Sequence, residues 1–176
     1  SRYRALVETT GTGYVIINKE GRVLDANREY VRLTGRKDLK EVLGRSVLDW
    51  TAPYEKEKNA AAVADCAAKG FIYNFEVDYA GPSGKIIPVE VNATVMQKDG
   101  VPQILTLCRD ISERRNSEKR LLESEDKFRT LTEKSIVGVY LIQNEKFLYV
   151  NPALAKMGGY TPAEMTEGKG LRDLIS

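Results

Sequence analysis

The sequence predicts an α+β fold: a five-stranded antiparallel sheet with short helices on one face, followed by the opening of a second copy. Three observations carry this reading. The hydrophobic period switches from helical to two near Gly70, a long repeat links the two ends of the chain, and a charged segment free of Gly and Pro lies between the copies.

In chain order, Gly13 to Ile17 is a short apolar run, and Asn18-Lys19-Glu20-Gly21 supplies a turn before Val23-Leu24 begins a return strand. Asn27 is placed to cap a helix that carries Tyr30, Val31 and Leu33 inward and stops at Gly35. A second short helix is expected around Lys37 to Leu43, ending at Gly44. A longer one follows from Tyr54 to Lys69, rich in alanine from Ala60 to Ala68 and closed by Gly70. Small side chains facing a sheet could leave a cavity there, or could simply allow close packing.

Beyond Gly70 the pattern alternates. Phe71, Tyr73, Phe75, Val77 and Tyr79 form one face, and Ile87, Val89, Val91, Ala93 and Val95 another, with a turn at Gly81-Pro82-Ser83-Gly84. Asp99-Gly100 turns into a third strand, Val101 to Ile111. The order is β-β-α-α-α-β-β-β, with one sheet face covered by helices.

The repeat holds one register. Tyr3-Arg4-Ala5-Leu6-Val7-Glu8 returns as Phe128-Arg129-Thr130-Leu131-Thr132-Glu133, and Gly13 as Gly138, at an offset of 125. After one deleted residue the offset is 124: Asn27 matches Asn151, Gly35 matches Gly159, Gly44 matches Gly168 and Asp49 matches Asp173. A period this long means tandem globular domains. Residues 1–111 are expected to form one domain, 112–131 a linker helix, and 128–176 the front half of a second domain.

Composition narrows the function classes. A hydrophobic content of 42% and a charged content of 30% suit a globular core, and a net charge of +2 with both signs interspersed gives no case for nucleic acid. No apolar run approaches a membrane span, and no signal peptide opens the chain, whose first residue, Ser1, reads as a cut or trimmed end. Cys66 and Cys108 lie in apolar surroundings and read as reduced core thiols, which fits the cytoplasm. Histidine is absent, and no paired carboxylates or cysteine-based constellation stand out, so neither catalytic nor metal-ligating residues are expected.

Within the linker, Arg114, Leu121 and Phe128 share one heptad stripe, with Ser117, Ser124 and Leu131 beside it. The seam suits either a solvated linker helix or a weak parallel coiled coil between two chains.

Together these residues resemble a PAS domain with its PAC extension. The likeness rests on the Gly-bounded hairpin, Asn27, Thr34-Gly35 and Val42-Leu43-Gly44, the exit Asp110-Ile111-Ser112-Glu113-Arg114, and the junction Ser124-Glu125-Asp126-Lys127-Phe128-Arg129-Thr130-Leu131. The resemblance implies a sensory and dimerisation module of a multidomain signalling protein of the sensor histidine kinase type, with an output domain beyond it. A ligand-free structural spacer and a module of a diguanylate cyclase are the alternatives. It also implies a non-enzymatic segment, a first strand beside the last, and homodimerisation through the linker helix or the exposed edge of the second copy. That second copy is expected to be frayed or sheltered by a partner chain.

On cofactors, the position resembling the flavin-adduct cysteine holds Val47, and Leu171 in the second copy, and no histidine is available for haem. Noncovalent flavin, a small metabolite or a filled core stay open. A cavity, if formed, should be walled by Tyr30, Leu33, Val47, Val63, Phe75, Val77, Val91 and Leu105. Trp50 reads as a core plug. Asn27, Gly35, Gly44 and Asn151 are structural, and signal transmission is placed at Asp110, Ile111, Ser112 and Arg114, with Ser112 capping the outgoing helix.

Overall fold

The structure, a computed structural model, describes residues 10–168. The repeat landmarks at Tyr3 to Glu8 and at Asp173, and the Leu171 position, lie outside them. The chain divides into two compact units, residues 1–115 and 116–176.

In the first unit, β1 (Gly13–Ile17) and β2 (Val23–Ala26) form the first hairpin. Helix α1 (Arg28–Leu33) follows, then 3-10 turns at Leu39–Glu41, Val47–Asp49 and Pro53–Glu55, then α2 (Lys56–Lys69). Strands β3 (Phe71–Ala80), β4 (Ile86–Lys98) and β5 (Val101–Asp110) complete a five-stranded antiparallel sheet of order β2-β1-β5-β4-β3. The first strand therefore lies beside the last. The core on the helix side gathers Val15, Tyr30, Leu33, Trp50, Val77, Val89 and Ile104, each no more than 2% exposed.

Local chemistry explains most of these elements. Asp99 and Gly100 both take positive φ, at 51° and 76°, the geometry that turns a two-residue hairpin in the sense of strand twist. Gly35 adopts φ +72°, and a Cβ there would meet the Gly81 Cα at 2.8 Å. Its glycine thus answers both a backbone conformation and a close approach.

Three expectations are corrected. The helix around Lys37 to Leu43 is a single 3-10 turn, because Asp38 captures the amides of Lys40 and Glu41 and the run ends at Gly44 after one turn. The uniform alternation expected along β3 breaks at a register shift between Ile72 and Phe75, where Asn74 takes φ +53°. A bulge reverses the pleat, so Phe71 and Tyr73 face solvent at 53% and 64% exposure while Ile72 packs against the core. Finally, Ala60, Ala61, Ala64 and Ala68 are exposed; α2 turns Asn59, Ala62, Val63 and Cys66 inward instead.

Helix α3 (Ser112–Glu133) is continuous, with Leu121, Leu122 and Leu131 exposed. In the second unit, β6 (Tyr140–Gln143) pairs with β7 (Lys146–Val150), followed by α4 (Pro152–Met157) and α5 (Pro162–Gly168). Phe147, Val150, Ala155 and Met165 form its core. The deleted residue of the repeat falls in this hairpin. Where the first copy turns through Asn18 to Arg22, the second turns tightly on Asn144 and Glu145, both at positive φ.

Candidate functional site: a core cavity and the exit of the sheet

A cavity of about 40 Å³ lies between α2 and the sheet. Helix α2 contributes Asn59, Ala62, Val63 and Cys66 to it, spaced so that one helical face looks at the strands. Strand β3 adds Ile72, Phe75 and Tyr79; β4 adds Val91 and Ala93; β5 adds Ile104 and Thr106; Val15, Ile17, Tyr30 and Val47 close it. Of the residues expected from sequence, Tyr30, Val47, Val63, Phe75 and Val91 line this space.

The other three do not. Leu33 and Val77 are 1% exposed and packed in the core away from the cavity. Leu105 points to the opposite face of the sheet, because Ile104, Thr106 and Cys108 are the buried set on β5. A phase error of one residue on an apolar strand moves every side chain to the other face.

Sequence reasoning missed the polar lining, namely Asn59, Tyr79 and Thr106. Asn59 donates from Nδ2 to Thr51 Oγ1 at 2.8 Å, and Thr51 donates to the Val47 carbonyl at 2.8 Å. Thr106 is 6% exposed, and its Oγ1 meets no hydrogen-bond partner. The signal that could have found it is the inward phase shared with Cys108, once that strand is placed beside β1.

Around the cavity, Trp50 is fully buried and donates from Nε1 to Tyr30 Oη at 3.1 Å, as a core plug would. Tyr79 Oη lies 3.9 Å from Cys108 Sγ. Burial pushes the Tyr30 and Tyr79 hydroxyls well above the usual phenol range and the Cys108 thiol up to about 12; it raises Cys66 as well. Both cysteines are buried and free, so each stays a protonated thiol of low nucleophilicity. Among the described residues no cluster of three or more His, Cys, Asp or Glu could hold a metal.

The second assembly sits where the sheet ends. Ile111 is 3% exposed; its N–H donates to the Pro88 carbonyl at 3.0 Å and its carbonyl accepts from Arg115 N at 2.9 Å. The cap of α3 comes from Asp110, not from Ser112, which is the first residue inside the helix. Asp110 Oδ1 accepts the Ser112 N–H at 2.9 Å, while Oδ2 pairs with Arg32 Nη2 at 3.1 Å. Burial pushes the Asp110 carboxyl up, but its bonds with Ser112 and Arg32 outweigh this and hold it below the usual carboxylate range.

One turn on, Arg114 pairs with Glu90 at 2.9 Å and with Glu76, and Arg115 pairs with Glu76 at 2.8 Å and Asp78 at 2.9 Å. The hydrogen bond from Arg115 is the main cause of a lowered Glu76 pKa. The same two acidic residues of β3 also hold the start of α2. Lys58 Nζ donates to the Glu76 carbonyl at 2.6 Å, Tyr54 Oη donates to Asp78 Oδ2 at 2.9 Å, and the Asp78 N–H donates to Glu55. Glu76 and Asp78 of β3 thus meet both sides: the exit helix through their carboxylates, and α2 and the turn before it through the Glu76 carbonyl, the Asp78 N–H and one Asp78 carboxylate oxygen. Arg115 and Glu76 were not anticipated, since strand acids on a polar face look like ordinary surface residues.

Asn27 Oδ1 accepts from Tyr14 N and Tyr30 N, and Nδ2 donates to the Thr12 carbonyl. Asn151 repeats the arrangement, accepting from Val139 N and Leu154 N and donating to Val137 and Thr132 carbonyls. Gly13 and Gly138 recur too: a Cβ at either would meet the helix above it within 3.0 Å, Tyr30 in one unit and Leu154 in the other.

This doubled hairpin-and-helix unit, with a sheet in which the first strand joins the last, defines a sensory-domain fold. The chain belongs to the PAS family: the family described as the PAS fold matches residues 1–111, and a second description, PAS domain, matches residues 126–175. It is 25% identical over 145 residues to the sensor histidine kinase TmoS of Ectopseudomonas mendocina, covering 80% of this chain. It is 26% identical to sporulation kinase E of Bacillus subtilis (strain 168) over 99% of this chain. The chain spans only 15% and 23% of the lengths of these two relatives. Among solved structures, a domain of the sensory box sensor histidine kinase/response regulator from Geobacter sulfurreducens is 27% identical. It superposes with a TM-score of 0.52 over 62% of this chain and 91% of that one. The chain is thus a PAS sensory module related to sensor histidine kinases.

Proposed function

We propose that residues 1–111 sense a small molecule in the core cavity and that residues 112–131 carry the resulting strain onward to an output domain of a larger cytoplasmic kinase. Residues 128–176 open a second domain of the same kind. In this reading the chain itself is not catalytic, and the kinase activity belongs to the parent protein. The observation that carries it is that Glu76 and Asp78 are held from two sides, by Lys58 of α2 on the Glu76 carbonyl and Tyr54 of the preceding turn on Asp78, and by Arg114 and Arg115 of α3 on their carboxylates. A ligand that displaces α2 by a fraction of an ångström must then reset the ion pairs at the exit, since packed elements shift between discrete arrangements.

The size of the cavity argues against a flavin. Pockets for drug-sized ligands run to roughly 300–1,000 Å³, against about 40 Å³ here. A small metabolite fits the proposal better.

Two experiments test it. Native mass spectrometry of the purified chain should show a small adduct that disappears in Ala93→Leu, which fills the cavity. In the parent kinase, Asp110→Ala should abolish the response of autophosphorylation to that ligand while the domain stays folded. An unchanged ligand response in Asp110→Ala would remove the exit from the signalling path, and a chain without any adduct would leave the spacer reading in its place.

A further inference from the structure

We infer that the cavity takes an uncharged molecule of a few heavy atoms whose hydroxyl or carbonyl oxygen accepts a hydrogen bond from Thr106 Oγ1. This deepens the reading of the cavity as a ligand site and rests on it.

Three observations lead there. Thr106 is 6% exposed, lines the cavity and has no partner for Oγ1. A buried hydroxyl without a partner is expensive, by about 1–3 kcal/mol, so such a group marks a place where something else completes the bond. Next, no Asp, Glu, Lys or Arg lines the space. A carboxylate or ammonium entering it would be stripped of water with no opposite charge to meet it. Burial keeps the Tyr30 and Tyr79 hydroxyls and the Cys66 thiol neutral, so they supply no charge either. Last, about 40 Å³ is room for about three waters at the roughly 10–15 Å³ that each needs, which limits the guest to a few heavy atoms. The other polar groups of the lining are already engaged, Asn59 by Thr51, Tyr30 by Trp50 and Tyr79 by Cys108, and Val15, Val47, Val91 and Ile104 add apolar wall around the one hydroxyl without a partner. That pattern, an uncharged and largely apolar lining with a single unpartnered polar anchor, selects short alcohols, amides and ketones over both hydrocarbons and acids.

The test uses a pair of equal shape and different charge. The whole chain, carrying labelled Thr, Val and Ala methyl groups, is titrated at neutral pH with acetamide, acetate and xenon, following the methyl signals of Thr106, Val91 and Ala93. Acetamide should give saturable shifts, with acetate at least about tenfold weaker because its charge must be desolvated. Thr106→Val, which keeps the shape and removes the hydroxyl, should weaken acetamide by about two- to tenfold, the range of one net hydrogen bond, and leave xenon unaffected. Thr106→Ser should restore acetamide binding and guards against a general loss of packing.

Acetate binding as well as acetamide, or acetamide indifferent to Thr106→Val, would overturn the inference while leaving the cavity a ligand site. Failure of all three probes, xenon included, would overturn both, and would leave water as the only partner of Thr106.

Discussion

Asn27 shows how one side chain can fix the relation between a strand and a helix. Its oxygen caps α1 at Tyr30 N and also takes the Tyr14 N–H of β1, while its amide reaches back to the Thr12 carbonyl. An aspartate would keep the acceptor but lose the donor, and would bury a charge at a site 5% exposed. Asn27→Ala is therefore expected to cost the first unit about 2–4 kcal/mol, since three bonded groups lose a partner. Asn27→Asp should cost nearly as much despite its good record as a cap. Urea unfolding monitored at Trp50, the sole tryptophan, gives both numbers. A fully tolerated Asn27→Asp would show that capping alone matters here. Because Asn151 repeats the same bonds in the second unit, Asn151→Ala should leave the Trp50 transition unmoved and loosen β6 and β7 instead.

At the scale of elements, the exit of the sheet is an electrostatic clamp, and its strength should depend on pH. Arg114 and Arg115 are each 40–45% exposed at the side chain, so their pairs contribute little to global stability, on the order of 0–1 kcal/mol apiece. Their effect lies in position. Glu76 and Asp110 both have pKa values below the ordinary carboxylate range in the fold. A depressed folded pKa stabilises above the unfolded value, roughly 4, and the contribution disappears as pH falls through the folded value. The melting difference between the native chain and Arg115→Gln should hold steady from about pH 8 to pH 5 and shrink toward zero below about pH 4. A difference that grows on acidification would refute the clamp. Amide exchange of the first turn of α3 should rise in Arg115→Gln even where the melting temperature barely moves.

The same scale shows what a sequence can and cannot announce. Hairpins are legible because turn chemistry is local: Asp99-Gly100 states its own geometry, and Asn27 states its helix. Strand phase is less legible. Leu105 and Thr106 both sit in an apolar run, and only pairing with β1 decides which faces the core. The bulge at Asn74 is harder still, since positive φ at an asparagine inside an alternating run leaves a hydropathy pattern that looks regular. The cavity was half legible for the same reason: its apolar walls follow the alternation, whereas Asn59 and Thr106 enter through helix and strand phases that composition does not fix. The clamp was hidden because its parts are separated by 24 to 39 positions and look like ordinary surface charges.

Considered whole, the molecule sets a complete sheet against an open one. In the first unit β1 has β2 on one side and β5 on the other; in the second, β6 has β7 alone among the described residues, and all four residues of β6 are exposed. Tyr140, Leu141 and Ile142 offer apolar side chains beside an edge of unpaired backbone groups, the arrangement that natural sheets cover or blunt. Two strands held by a core as small as Phe147, Val150, Ala155 and Met165 leave the hairpin weakly supported, so the ordering of this unit is expected to gain from something adding to that edge. With the exposed Leu121, Leu122 and Leu131 on α3 as a second apolar surface, a further copy of the chain is the partner we propose. Sedimentation should then show a concentration-dependent dimer, and Leu141→Lys, which places a charge on the edge, should shift it toward monomer. Amide protection across β6 and β7 should fall in step with dissociation. Protection that stays full in a strictly monomeric chain would overturn the prediction, because the hairpin would then be holding its order with the edge bare.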